Sequence, residues 1–359
     1  MTIAYLNRVA TMVPPHDVHA AFLAFAETQL GTDRRSQVLF RRMAAKGGIA
    51  HRYSWLSPNS EAGNTCVDGA GFYPRGGFPT TAARMRFFEA HAPAMAEAAI
   101  ARLGLGPALA RVSHIIVTCC TGFAAPGLDL EILSRCGLSG SAERVLIGFM
   151  GCYAAINGMK TARHIVRSEP TARVLMVNLE LCTLHLQESQ DIEQILSFMV
   201  FADGCAASLI SAEPHGIALD RFHAVLAPDS SGLITWTIRD QGFDMVLSGE
   251  VPGAIQRALA AGAAEVLDGS PTTDFTHWAI HPGGRSVLDA VTQALALPAD
   301  ALAPSREVLR QYGNMSSATV MFVLAAMLNA PPGARGCAMA FGPGLVAETM
   351  LFTTAGPAR

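Results

Sequence analysis

Acyl transfer through a covalent intermediate needs a nucleophile, a group that moves protons and a donor for the oxyanion. This chain carries one of each in suggestive settings. Cys152 stands in FMGCYAAINGMKTARHIV. A short apolar segment ends near Phe149, Gly151 permits a tight turn, and a helical pattern begins at about Cys152. A thiol at a helix N-terminus meets free N–H groups and the positive end of the helix dipole, which favour the thiolate. Ala154 and Ala155 are small enough to let a substrate or another backbone approach. Eight cysteines occur, at 66, 119, 120, 136, 152, 182, 205 and 337. Most fit the ordinary role of a small buried hydrophobe. The strand–glycine–cysteine–helix context sets Cys152 apart from Cys136, Cys182 and Cys337.

His281 closes the segment HWAIH and is followed by Pro282-Gly283-Gly284, a sharp turn into a helical pattern. The carboxyl end of a buried strand is where open α/β sheets place ligand chemistry. A histidine there can stabilise a thiolate as imidazolium and later pass the proton on. Asn314, in QYGNMSSATVMF, sits just before a helix. It suits an N-cap, but Ser316 or Ser317 can fill that role. The Asn314 amide is then free to donate to a developing oxyanion.

The elements that must position these groups alternate. Helical spacing marks 17–30, 36–46 and about 82–103, with an irregular Gly/Pro-rich connection at 57–81. Strands are expected at His114–Cys120, Arg144–Phe149, Arg173–Glu180 and Gly204–Ser211, with helices at 128–136, 153–167 and 190–201 between them. The second half repeats the style. Helices are expected at 251–267, 284–295 and 316–329, and strands at His277–His281, Cys337–Phe341 and Val346–Phe352. Such alternation predicts an α/β protein with helix-covered sheets. The two halves have similar element order, so an internal duplication is plausible.

Bulk properties exclude several classes. Half the residues are hydrophobic and only 15% are charged, which suits a large buried core. Net charge is −3 with no basic run, so no nucleic-acid footprint is visible. No apolar stretch reaches the roughly 18–20 residues of a membrane span, and the start lacks a basic leader with an apolar block. A cytoplasmic protein with reduced thiols is expected. No Cys/His cluster has metal-ligand spacing, so no metal site is expected.

Taken together, LFRRMAAKGGIAHRY, TGFAAPGLDLEIL, GCYAAINGMKTA, FADGCAASLI, HPGGRSVLDAV, SREVLRQYGNMSSATVMFVL and AFGPGLVAET resemble the type III polyketide synthases. These are the chalcone synthase-like branch of the thiolase superfamily. The segments span about Val38 to Phe352 in matching order. The resemblance implies a five-layered αβαβα thiolase fold built from two halves, 1–215 with the nucleophile and 216–359 with the histidine and asparagine, in an obligate homodimer. It implies that Cys152 takes an acyl group from a CoA thioester. His281 and Asn314 would hold the malonyl-CoA carbonyl during decarboxylation, and the enolate would attack the acyl-Cys152 thioester. CoA thioesters are then substrates, and no separate cofactor is implied. Phe201 matches the gatekeeper between CoA tunnel and cavity. Gly342, Pro343 and Gly344 match the backbone scaffold, and Thr121 and Ser316 fall in segments lining the substrate site. Arg42 and Lys46, one helical turn apart, match contacts to CoA phosphates, while Leu39 stands where the family has a further lysine.

Several departures bear on product. Cys120, Cys182 and His185 replace threonines of chalcone synthase, Trp236 stands near a cavity-floor glycine, and Met245 replaces a second gatekeeper phenylalanine. Bulk at His185 and Trp236 should shrink the chamber that folds an aromatic tetraketide. Small residues at Cys182, Ala124 and Ala125 resemble bacterial relatives that take fatty acyl-CoA starters and release alkylpyrones or alkylresorcinols. Aromatic-starter or acetyl-primed synthesis, and a β-ketoacyl synthase of the initiation type, are the alternatives. A papain-like hydrolase shares the order Cys, His, Asn at intervals of 129 and 33 residues. An inactive structural partner is disfavoured because all three residues are present.

Overall fold

The computed structural model describes residues 2–59 and 66–358. The irregular connection expected at 57–81 therefore lies partly outside the described residues. The first part of the chain runs β1 (Tyr5–Met12), β2 (His16–Asp17), α1 (His19–Gln29), α2 (Arg34–Lys46), β3 (Tyr53–Ser54) and α3 (Thr81–Arg102). It continues with β4 (His114–Cys119), α4 (Leu128–Cys136), β5 (Glu143–Gly148), α5 (Ala154–Ser168), β6 (Val174–Leu181), α6 (Ile192–Phe198) and β7 (Asp203–Ser211). The second part runs β8 (Gly216–Leu226), β9 (Ile234–Arg239), β10 (Gly242–Leu247), α7 (Val251–Val266), β11 (His277–Ile280) and α8 (Arg285–Ala294). It closes with α9 (Ala303–Tyr312), α10 (Thr319–Ala325), β12 (Arg335–Gly342) and β13 (Val346–Gly356).

Nine strands form one mixed sheet, ordered β11-β12-β13-β8-β1-β7-β6-β4-β5. β1 and β8 pair only at Tyr5↔Ala218 and Leu6↔Ile217, so a narrow seam divides the sheet. The two sides share one topology. β1-β7-β6-β4 and β8-β13-β12-β11 each run antiparallel, antiparallel, then parallel. α5 touches β4, β6 and β7 on one side and β8, β12 and β13 on the other, and α10 touches β1, β7, β11 and β12. These two helices therefore lie between the sheet halves. α3 and α4 cover the first half from outside, and α7 covers the second, with α8 and α9 beside it. The result is the five-layered αβαβα order that the resemblance implies. α5 has a buried face of Ala155, Ile156, Met159, Ala162 and Val166, which shares the central core with Val320, Met321 and Leu324 of α10.

The strands β1, β8, β9 and β10 and the helix α9 were not evident in the sequence pattern. β1 carries Asn7 and Arg8 in mid-strand, which breaks its apolar run, and their polar groups are satisfied by Glu213, His215 and Leu103 carbonyls. α10 is shorter than expected, because Ser316–Ala318 forms a 3-10 turn and the helix stops at Ala325. Among the described residues no helix is long and apolar enough to cross a membrane.

Candidate active site

Cys152 sits at the entry to the central helix of the first half and Asn314 at the entry to that of the second. The chain leaves β5 through Phe149 at φ 57° and Gly151 at φ 69°. A 3-10 turn, Gly151–Tyr153, then leads into α5 at Ala154. Glycine is needed here twice over, since a Cβ on Gly151 would stand 2.5 Å from Pro343 Cδ. Gly342 likewise has no room for a side chain, since a Cβ there would stand 2.7 Å from the Tyr153 ring and 3.3 Å from the Cys152 backbone nitrogen. The Tyr153 hydroxyl donates to the Pro343 carbonyl at 3.2 Å. The segment Gly342–Pro343 thus lies directly over the nucleophile turn.

The expected thiolate is not what this setting favours in the free protein. Burial pushes the Cys152 thiol up from 9.0 to about 12, with the Ser316 and Asn314 side chains pulling it back and buried Glu180 adding to the rise. A helix terminus is worth about 0.3–1 kcal/mol, less than the 1.36 kcal/mol of a single pKa unit. Desolvation wins because α5 proper begins only after the cysteine.

His281 follows β11, and its N–H donates to the Met339 carbonyl at 2.8 Å. Its side chain is buried, and among the described residues neither ring nitrogen has a hydrogen-bond partner. Burial alone holds the imidazole down from 6.5 to about 3. A buried polar pair left open costs about 1–3 kcal/mol per group, so this ring is built to meet something that enters the cavity. Asn314 is held by backbone. Its N–H donates to Val200 O at 2.8 Å and its carbonyl accepts from Ala202 N–H at 2.9 Å, bridging it to Phe201. Its Oδ1 accepts from Ser316 N–H at 2.9 Å, while Nδ2 donates to Gly283 O at 3.3 Å. One amide therefore stabilises the turn with its oxygen and turns its donor towards the His281–Gly283 loop.

A cavity of about 500 Å³ joins these groups. Cys152, His281, Asn314, Phe201, Cys120, Thr121, Cys182, Trp236, Met245, Ser316, Gly342 and Pro343 all line it, and its wall is mostly apolar. The Trp236 indole N–H donates to Cys120 O at 2.7 Å, which fixes the ring in the wall. His185 does not line the cavity, contrary to expectation. It is fully buried behind Trp236, donating from Nε2 to Thr121 O at 2.7 Å and accepting at Nδ1 from Phe243 N–H at 3.0 Å. It stacks on Phe243 at 4.1 Å and meets Trp236 edge-on at 5.2 Å. Its bulk acts through Trp236. Gly344 is also off the wall and serves the turn, at φ 75°. Arg42 and Lys46 are exposed on α2, whose Leu39 and Met43 form part of the cavity rim.

Two residues escaped sequence reasoning. Glu180 is fully buried under the site, accepting from Cys120 N–H at 3.0 Å, Thr121 Oγ1 at 2.9 Å and Ser317 Oγ at 2.6 Å, and burial raises its pKa. A lone acid within the apolar strand VLMVNLEL was the available signal. Arg52, also fully buried, donates to Phe201 O at 2.9 Å and Phe198 O at 3.2 Å, and from Nε to His19 Nδ1 at 2.9 Å. Its stem packs on Gly313, where a Cβ would stand 2.8 Å from Arg52 Cγ. It braces Phe201 and Asn314 together. An isolated arginine among the surrounding basic residues gave no signal.

Models of the chalcone and stilbene synthases match this chain, their N-terminal domain over residues 9–214 and their C-terminal domain over 219–355. The chain belongs to the chalcone and stilbene synthase family, the type III polyketide synthases. That membership removes the papain-like reading. The chain is 32% identical over 366 residues to the alpha-pyrone synthesis polyketide synthase-like Pks18 of Mycobacterium tuberculosis, covering 98% of this chain and 91% of that one. It is 32% identical over 270 residues to polyketide synthase 37 of Dictyostelium discoideum, in a match covering 70% of this chain but 9% of that much longer one. Among solved structures, PKS-I from the brown alga Ectocarpus siliculosus superposes with a TM-score of 0.87 at 29% identity, covering 99% of both chains. The type III domain of Steely1 from Dictyostelium gives 0.88 at 22% identity, a likeness of fold, covering 98% of this chain and 99% of that one.

Proposed function

We propose that this type III polyketide synthase extends a fatty acyl-CoA starter with units from malonyl-CoA, giving alkylpyrone or alkylresorcinol-type products. The observation that carries the reading is the convergence of Cys152, Asn314 Nδ2 and an imidazole with two open nitrogens on one apolar cavity. The Cys152 sulfur attacks the starter thioester, and its proton passes through His281 to the departing CoA thiolate. Burial penalises a lone thiolate and a lone imidazolium alike. Forming them together as a contact pair offsets much of that penalty, so the proton transfer belongs with the bound thioester. Malonyl-CoA then enters. Its carbon–carboxylate bond breaks, carbon dioxide leaves, and the electron pair forms an enolate whose oxygen accepts from His281 and Asn314. Donors preorganised in a dry site are worth most where this charge develops. A low imidazole pKa keeps His281 neutral, able to donate one N–H. The enolate carbon attacks the acyl-Cys152 carbonyl, the sulfur leaves, and the longer chain is carried on CoA for another round.

A straight chain suits the site because the cavity wall is mostly apolar and the Trp236 ring takes up part of it. The name of one relative, alpha-pyrone synthesis polyketide synthase-like Pks18, supports a pyrone-type product. Arg42 and Lys46 would hold CoA phosphates at the mouth. A homodimer fits the exposed edge strand β5, where Val145 and Leu146 are 38% and 47% exposed. Mass spectrometry of products from malonyl-CoA with a panel of starters tests the assignment. Efficient extension of C8 to C18 acyl-CoAs is expected. Indifference to these with ready use of acetyl- or aryl-CoA would overturn the starter class, and absence of any condensation would overturn the reaction.

A further inference from the structure

Of the thirteen residues of α2, only Phe40 is buried. Val38, Leu39 and Met43 are 62%, 44% and 47% exposed, an unusual display of large aliphatic side chains on one short helix. The helix also carries five cations and no acid, within a chain of net charge −3. Arg41 is engaged by Glu27. Among the described residues, Arg34, Arg35, Arg42 and Lys46 make no ion pair. Residues four apart share a helix face, so Arg34, Val38, Arg42 and Lys46 form one stripe and Arg35, Leu39 and Met43 form the next. Apolar side chains thus sit at the centre of the face with cations around them.

The place of this face gives it meaning. Leu39 and Met43 belong to the rim of the active cavity, so the exposed apolar patch runs without a break into the apolar wall inside. Glu193 of α6 is the acid on the same rim. CoA phosphates at Arg42 and Lys46 leave Val38, Arg34 and Arg35 without a role. A helix with apolar residues flanked by arginine and lysine has the chemistry of one lying in a lipid interface. Its aliphatic side chains enter the acyl boundary and its cations meet anionic headgroups. We infer that α2 docks the cavity mouth on an anionic bilayer, with Val38, Leu39 and Met43 at the acyl boundary and Arg34 and Arg35 on lipid phosphates. An acyl chain then passes between membrane and cavity without crossing water. The binding step does not depend on which starter or product the enzyme uses.

Co-sedimentation of the full-length protein with vesicles tests this. Equimolar phosphatidylcholine and phosphatidylglycerol should pull the protein down, pure phosphatidylcholine should do so weakly, and high salt should release it. R34E/R35E should weaken partition to the anionic vesicles by about tenfold or more. V38S should weaken it too, but leave the salt dependence unchanged. These three residues lie outside the cavity wall, so turnover of a short-chain acyl-CoA in solution should match the parent and report intact folding. Failure of the wild type to bind anionic vesicles would overturn the proposal, as would binding that neither R34E/R35E nor V38S reduces. Capture by an acidic acyl carrier protein, lost in the same variants while vesicles are ignored, would also overturn it and reassign the face. If vesicle binding fails while condensation persists, the proposed reaction stands without the membrane face.

Discussion

The imidazole of His281 should make the protein acid-sensitive by an amount that one substitution isolates. In the fold, burial holds this group at about 3 against 6.5 when free. It is a base with a depressed pKa, so its neutral form contributes fully above pH 6.5, and that contribution is lost as pH falls towards 3. At pH 5 the unfolded chain has bound a proton that the folded chain has not. Each pH unit below 6.5 costs about 1.36 kcal/mol, so about 2 kcal/mol should be lost between pH 7 and pH 5 through this side chain. His281→Gln does not titrate. The stability difference between wild type and variant should therefore shift by about 2 kcal/mol in favour of the variant over that range, whatever its value at pH 7. The difference matters more than either curve. His185, also held to about 3, adds a similar loss, while Asp203, raised by burial to about 7, opposes it in both proteins. Urea unfolding at pH 7 and pH 5, at one protein concentration, measures it. Parallel behaviour of the two proteins would refute the argument, as would a His281 ring resonance titrating near 6.5.

Cys152→Ala should abolish chain extension, and single-turnover acylation of Cys152 by a starter acyl-CoA at pH 7 should slow at least tenfold in His281→Gln if the imidazole accepts the thiol proton; equal acylation rates would separate the two residues. Trp236→Ala widens an existing cavity and leaves the Cys120 carbonyl without its donor, so a cost of about 1–3 kcal/mol is expected. The opened cavity should raise kcat/KM for aryl-CoA relative to straight-chain starters; an unchanged ratio would show that Trp236 does not limit starter shape. Arg52→Ala strips a donor from Phe198 O, Phe201 O and His19 Nδ1, about 1 kcal/mol each and about 3 kcal/mol together. It should lower kcat more than it alters KM, with partial recovery in Arg52→Lys, because Asn314 loses its brace. Equal losses in kcat for the alanine and lysine variants, with wild-type stability, would point to another role.

The candidate trio was legible because each member sits in a short segment whose backbone demands are local. Gly151 must adopt a positive φ and lie against Pro343, so strand, glycine and cysteine appear together in the chain. Pro282-Gly283-Gly284 announces the turn after β11, and β-branched runs such as HIIVT mark strands buried on both faces. Half-buried or interrupted strands were less legible. β1 is broken by Asn7 and Arg8, and β9 and β10 form a separate ribbon with an exposed side, so neither shows a continuous apolar run.

By itself the sequence determined which residues could act, where the buried strands and most of the helices form, and that an α/β protein results. These follow from side-chain type, turn chemistry and periodicity, which act over a few residues. The tertiary structure alone decided what surrounds each group. It set the half-buried Cys152 thiol where desolvation outweighs a helix terminus, left both nitrogens of His281 without a hydrogen-bond partner among the described residues, and placed Glu180 and Arg52 beneath the site from distant strands and loops. It also moved His185 from the wall to a position behind Trp236. Desolvation and hydrogen-bond partnership arise from atoms far apart in the chain, so no local pattern could have set them.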